Sequence, residues 1–72
     1  MLIKLTGHRT DRPVLIETDD IVTAEESEDT FRDGKKYTAL LVVRDSARTS
    51  IGVKETCDEI LEQIKDNEDG LL

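Results

Sequence analysis

The chain has one histidine, His8, and one cysteine, Cys57, and these are the side chains from which acid–base or nucleophilic chemistry would start. An imidazole with an unperturbed pKa of about 6.5 works as a general base when an acid orients it. His8, however, lies in the polar segment Gly7 to Arg12 with no partner near it in sequence, and it reads as an exposed turn residue. Cys57 stands at the start of a predicted helix, where the helix dipole favours a thiolate. Glu55, Asp58 and Glu59 oppose that charge, and the position falls on an apolar stripe, so Cys57 reads as a small core residue. Glu25, Glu26, Glu28 and Asp29 offer oxygen ligands, but the alternating Asp/Asn pattern with a central Gly of an EF-hand loop is missing. Gly7, Gly34, Gly52 and Gly70 are isolated from one another, which leaves no glycine-rich phosphate loop. The sequence therefore predicts no catalytic residue, no metal site and no cofactor.

Charge is more informative. The 72 residues hold 17 acidic against 10 basic side chains, a net charge of −7, and the signs are segregated. Between Glu17 and Asp33 the only cation is Arg32, and after Glu55 the only one is Lys65. Basic residues gather at Lys4, Arg9 and Arg12 and again at Lys35, Lys36, Arg44, Arg48 and Lys54. Segregated charge builds complementary patches that speed and orient association. Glu25, Glu26, Glu28 and Asp29 form the candidate acidic patch for a partner. Arg9 and Arg12 in one predicted loop, and Arg44 and Arg48 in another, would have to converge to bind nucleic acid, with Tyr37 available for stacking. Phe31, the only phenylalanine, is the candidate anchor, either covered by its charged segment or exposed to a partner.

These side chains need a scaffold, and alternation supplies most of it. Ile3 and Leu5 alternate with Lys4 and Thr6 as in a half-buried strand. Pro13 punctuates the chain before a second short strand at Val14 to Ile16. Asp19 and Asp20 suit a tight turn, and Ile21 to Ala24 reads as a third strand. Glu25 to Lys36 reads as an exposed, charged loop. Tyr37 to Val43 is the most apolar run and predicts a central strand; Arg44 to Arg48 turns the chain into a fifth strand at Ser50 to Val53. Gly52 marks a bulge or bend. Thr56 and Glu59 make an S/T-x-x-E capping box, and Cys57, Ile60, Leu61 and Ile64 follow at helical spacing, predicting an amphipathic helix over about 57–66. The fold class is α+β: a small antiparallel sheet of about five short strands and one C-terminal helix. Residues 1–67 form a single domain, and 68–72 a frayed acidic tail.

The order Ile3-Lys4-Leu5-Thr6, Val14-Leu15-Ile16, Asp20-Ile21, Glu25-Glu26, then Val53-Lys54-Glu55-Thr56 with Asp58-Glu59-Ile60 and Ile64, resembles the small flagellar FlbD/SwrD-like family. Glu17 replaces the Asn usual there, and Glu28 to Lys36 is extra sequence before the fourth strand. The resemblance implies a β-rich unit ending in one helix and a non-enzymatic role, in some bacteria in flagellar motility. The Met-Leu-Ile start and five strands before a helix are also similar to the carbon-storage regulator family, which implies RNA binding.

The chain is accordingly read as a small non-enzymatic protein-interaction module, an adaptor or modulator. One alternative is a phage- or mobile-element-encoded inhibitor that uses the acidic surface; another is an RNA-binding regulator acting through the arginine loops. A protein partner is expected ahead of nucleic acid. No apolar run approaches the roughly 18 residues of a membrane span, and a lone cysteine closes no internal disulfide, so a soluble cytoplasmic protein is expected. A domain this small buries only roughly 60% of its unfolded surface, which makes a homo-oligomer an expectation too.

Overall fold

The computed structural model describes the backbone of residues 1–70 and the side chains of residues 1–67. Strand β1 (Leu2–Thr6) pairs antiparallel with β2 (Pro13–Glu17), and a 3₁₀ turn at Thr18–Asp20 leads into β3 (Ile21–Asp29), β4 (Lys35–Arg44) and β5 (Ala47–Val53). Helix α1 (Cys57–Gly70) closes the chain. The expected α+β architecture is present, with the five strands divided between a two-stranded sheet, β1–β2, and a three-stranded sheet, β3–β4–β5. The joint between them is narrow. Gly7 bridges to Val53, the His8 amide donates to the Gly52 carbonyl at 2.9 Å, and the Lys54 amide donates to the Thr6 carbonyl at 2.8 Å.

Alternation sets the inner faces. Ile3 lies opposite Ile16 and Leu5 opposite Val14, while Leu2, Lys4 and Leu15 point outward. The core is Ile3, Leu5, Ile16, Leu40, Val53 and Ile60, with Val14, Ile21, Val42, Ile51 and Ile64 against it. The register slips between Ile21 and Thr23, so Ile21 and Ala24 face the same side as Val42 and Leu40 despite their odd spacing, and Val22 is left exposed. The bulge therefore falls here and not at Gly52. Gly52 keeps its place opposite Ala39, and a Cβ there would lie 3.2 Å from the Tyr37 ring. Close approach, not a bend, is what requires glycine.

The predicted loop at 25–36 is instead the outer half of the β3–β4 hairpin. Glu25 to Asp29 continue β3, and Lys35 and Lys36 begin β4. Acidic and basic residues have low strand propensity, which hides the hairpin in the sequence; across the ladder Glu28 faces Lys36 and Asp29 faces Lys35, so opposite charges offset it. The hairpin lengthens the molecule to 43 Å against 27 and 20 Å in the other directions.

The capping box is formed as predicted. The Glu59 amide donates to Thr56 Oγ1 at 3.1 Å and the Thr56 amide to Glu59 Oε1 at 3.2 Å. Just before it, Glu55 ties the helix to β1 by accepting from the Thr6 amide at 2.8 Å and the Thr6 hydroxyl at 3.0 Å. Ile60 is buried, Ile64 and Cys57 are half-buried, and Leu61 is 63% exposed, so the predicted stripe faces the core only in part. The helix passes the predicted end at 66 and runs to Gly70. The remainder of the expected frayed tail, Leu71 and Leu72 with the side chains of 68–70, lies outside the described residues.

Asp45 and Ser46, between Arg44 and Ala47 of the β4–β5 hairpin, have φ of 51° and 69°. Two positive values in a two-residue loop define the type I′ geometry, for which Asp-Gly is a preferred pair and Ser is strained. Ser46→Gly is expected to raise stability by about 0.5–1 kcal/mol in urea unfolding; a lower midpoint would contradict this turn.

Candidate functional site

The structure builds a site where the sheets meet, around a residue that reads as ordinary in sequence. Thr6 ends β1, Gly7 makes the bridge to Val53, and the chain then turns back toward β2. Gly7 suits this place: a Cβ there would stand 2.4 Å from Thr10 Oγ1 and force that side chain to rotate, inside the loop closed by the Gly7 amide donating to the Arg12 carbonyl at 2.8 Å. This places His8 over the end of the three-stranded sheet. The predicted exposed histidine is only 7% exposed. Its ring stacks on Tyr37, with centroids 4.5 Å apart and planes 16° from parallel. The side chain is buried because Gly52 leaves room for both rings: its position is 3.5 Å from His8 Cβ.

His8 Nε2 donates to Asp29 Oδ2 at 3.0 Å, since an ionised carboxylate only accepts. Asp29 is 4% exposed. Its other oxygen accepts the Phe31 amide at 3.1 Å, which caps the 3₁₀ turn Thr30–Arg32, and its carbonyl accepts the Gly34 amide at 3.0 Å. Arg9 Nε lies 3.6 Å from the same Oδ2. One carboxylate thus joins the β1–β2 loop to the tip of the β3–β4 hairpin. No buried side-chain nitrogen or oxygen among the described residues lacks a hydrogen-bond partner, so the second ring nitrogen, Nδ1, reaches solvent.

The predicted acidic patch is corrected by this arrangement. Asp29 is internal and paired with His8 and Arg9, and Glu25 and Glu26, adjacent on β3, point to opposite faces. Glu26 and Glu28 share a face with Lys36. The predicted arginine site is also corrected. Arg9 and Arg12 lie in the loop beside Gly52 and Val53 at the end of β5, whereas Arg44 and Arg48 flank the turn at its beginning, so the loops sit at opposite ends of the strand. Phe31 is 91% exposed, which resolves the alternatives left by the sequence. Cys57 is half-buried, its thiol directed to the Ala24 carbonyl at 3.7 Å.

Cations do gather, but others than the sequence singled out. Arg32, Lys35, Lys36 and Lys54 line a cleft of about 300 Å³ with His8 and Asp11. Lys54 pairs with Asp11. A second cleft of about 410 Å³, also walled by His8, is lined by Val14, Tyr37, Ile51 and Gly52 with Thr10 and Ser50. In the sequence Lys35, Lys36 and Lys54 are only part of a basic segment with Arg44 and Arg48, and the hairpin pairing and the sheet joint are what bring them beside His8.

Chemically, Asp29 holds one tautomer of an oriented imidazole, which leaves Nδ1 as an acceptor, or as a donor once protonated. No hydroxyl or thiol hydrogen-bonds to the ring among the described residues, so the pair is a positioned acid–base group without an attached nucleophile. No three His, Cys, Asp or Glu side chains among the described residues are grouped to hold a metal ion. Among the described residues no helix is long and apolar enough to cross a membrane. Comparison with known proteins finds no matching family model, curated protein or solved structure.

Burial alone raises the pKa of the Asp29 carboxyl, but hydrogen bonds from His8 and the Phe31 amide, with the charges of Arg9 and His8, outweigh it and hold the group below the usual carboxylate range. A carboxyl depressed by folding stabilises the native state above its unfolded pKa of about 3.9, and that contribution is lost as the pH falls through the lower folded value. Asp29→Asn is expected to lower the urea midpoint at pH 7, with the gap from wild type narrowing once the pH drops below about 3.9. A gap of constant size into strong acid would contradict an ionised, partnered Asp29.

Proposed function

We propose that this chain is a small non-enzymatic protein-interaction module that docks through the tip of the β3–β4 hairpin. The observation that carries the reading is Phe31, 91% exposed at that tip. A single large apolar side chain on a surface is ordinary by itself. Phe31 differs in being held on a defined support: Asp29 caps its turn, and His8 fixes Asp29. Holding an aromatic anchor in place before contact reduces the ordering cost of binding. Arg32 follows it in the turn, Lys35 and Lys36 open β4 on the same hairpin, and none of the three carries an ion pair among the described residues, so the matching partner is a protein with an apolar pocket bordered by acidic side chains.

This is the kind of role that the resemblance to the FlbD/SwrD-like family implies, and it makes a cytoplasmic partner in bacterial motility the first to examine. The hairpin tip is the segment in which the chain departs from that family's pattern, so the partner is expected to be particular to this chain. The inhibitor reading loses its support with the dispersal of the acidic patch, and the arginine-loop reading with the separation of Arg9 and Arg12 from Arg44 and Arg48.

Capture from host lysate on the immobilised chain, with nuclease present, is expected to return a protein whose affinity falls at least about tenfold with Phe31→Ala, a loss of about 1.4 kcal/mol or more. The melting temperature is expected to stay at the wild-type value because the ring packs on nothing. A partner retained equally by the variant would contradict the docking role of the tip.

A further inference from the structure

We infer that the cationic cleft beside His8 binds the phosphate group of a small phosphorylated ligand whose organic part occupies the adjoining cleft against Tyr37. The inference goes beyond the docking role of the hairpin tip and rests on side chains other than Phe31. Four of the chain's ten lysines and arginines line this one space of about 300 Å³, in a protein of net charge −7. Only one of the four is neutralised, Lys54 by Asp11. Arg32, Lys35 and Lys36 have no carboxylate within ion-pair distance among the described residues. Like charges gathered on a short hairpin repel one another, even with Glu28 across the ladder from Lys36, and a bound anion relieves that repulsion. The carboxyl of Asp11 reports the same field: the Lys54 hydrogen bond and charge, followed by the charges of Arg32 and Lys35, hold it below the usual carboxylate range.

Two features select phosphate among anions. Several separate cations around a compact space suit a group with a double charge and several acceptor oxygens better than a single carboxylate, and lysines serve phosphate as point charges. The imidazole wall adds a further donor, Nδ1–H, when the ring is protonated, since Asp29 takes the Nε2–H. The second cleft supplies the place for the rest of the molecule. Its volume of about 410 Å³ and its lining of Val14, Tyr37 and Ile51, with the hydroxyl-bearing Thr10 and Ser50, are those of a small-molecule site: apolar walls with a few polar groups. His8 is common to both clefts, which makes them neighbours across one side chain.

The test is a ¹H–¹⁵N NMR titration of the full chain at low ionic strength with AMP, inorganic phosphate and adenosine as probes. AMP is expected to shift the amides of His8, Tyr37, Gly52 and Lys54 saturably, with a Kd of about 1 mM or tighter. Inorganic phosphate is expected to move the Arg32, Lys35, Lys36 and Lys54 amides more weakly, and adenosine to bind at least about tenfold more weakly than AMP. The double variant Lys35→Ala/Lys36→Ala and, separately, Lys54→Ala should each weaken AMP by about tenfold, with the remaining spectrum unchanged. Phe31→Ala should leave the titration as it is, which separates failure here from failure of the docking reading. Absence of saturable shifts with both AMP and phosphate overturns the inference, as does adenosine binding as tightly as AMP. A single-stranded oligonucleotide that binds these residues where AMP and phosphate do not also overturns it, and assigns the cleft to nucleic acid.

Discussion

The hydrogen bond between His8 and Asp29 is the contact on which the upper half of the molecule depends. Two small sheets meet along a seam of two backbone hydrogen bonds that make the Gly7–Val53 bridge, and a pair of strands is marginal on its own in water. Leaving either polar side chain unpartnered here would cost desolvation that no new partner offsets. Paired, they tie the β1–β2 loop to the far hairpin, and the Asp29 carboxylate also shapes the turn that presents Phe31. Gly7, Gly52 and Tyr37 are the conditions for this pairing: the first lets the loop close, the second leaves space, and the third is the surface on which the imidazole lies.

How much of this the sequence discloses follows from the range of each interaction. The strands Leu2–Thr6 and Pro13–Glu17, the β4–β5 hairpin and the Thr56–Glu59 capping box rest on alternation and contacts a few residues apart, and they can be read from the chain. The outer half of the β3–β4 hairpin cannot, because Glu, Asp and Lys are poor strand formers and only pairing across the ladder makes them acceptable. The bulge between Ile21 and Thr23 is equally silent, since a period-two reading of Ile21 to Ala24 places Ile21 and Ala24 on opposite faces. At the site, His8 and Asp29 are far apart in sequence, and nothing local marks either as buried. The charge bias of Lys35, Lys36 and Lys54 is visible, but their common destination depends on the sheet joint.

The same joint accounts for how an acidic chain presents a basic surface. Charge that is segregated along the sequence is redistributed by the hairpin, which sets Glu26 and Glu28 on one face beside Lys36 and takes Asp29 inside. With Asp29 inside, Asp33 is the surface carboxylate nearest Arg32 and Lys35 in sequence, and it forms no ion pair with either. Asp29 thus fixes the apolar tip from inside, while Arg32, Lys35 and Lys36 on the same hairpin stay outside ion-pair distance of a carboxylate among the described residues.

The most direct test of the account is the state of the His8 ring, read by NMR of its side-chain nitrogens and carbon-bound protons. The account predicts an Nε2 that carries a slowly exchanging, hydrogen-bonded proton when the imidazole is neutral, with ring protons showing contacts to Tyr37 and the ring-current shifts of a stacked aromatic. An imidazole with tautomers in rapid exchange, free of contacts to Tyr37 and unaffected by Asp29→Asn, would contradict it.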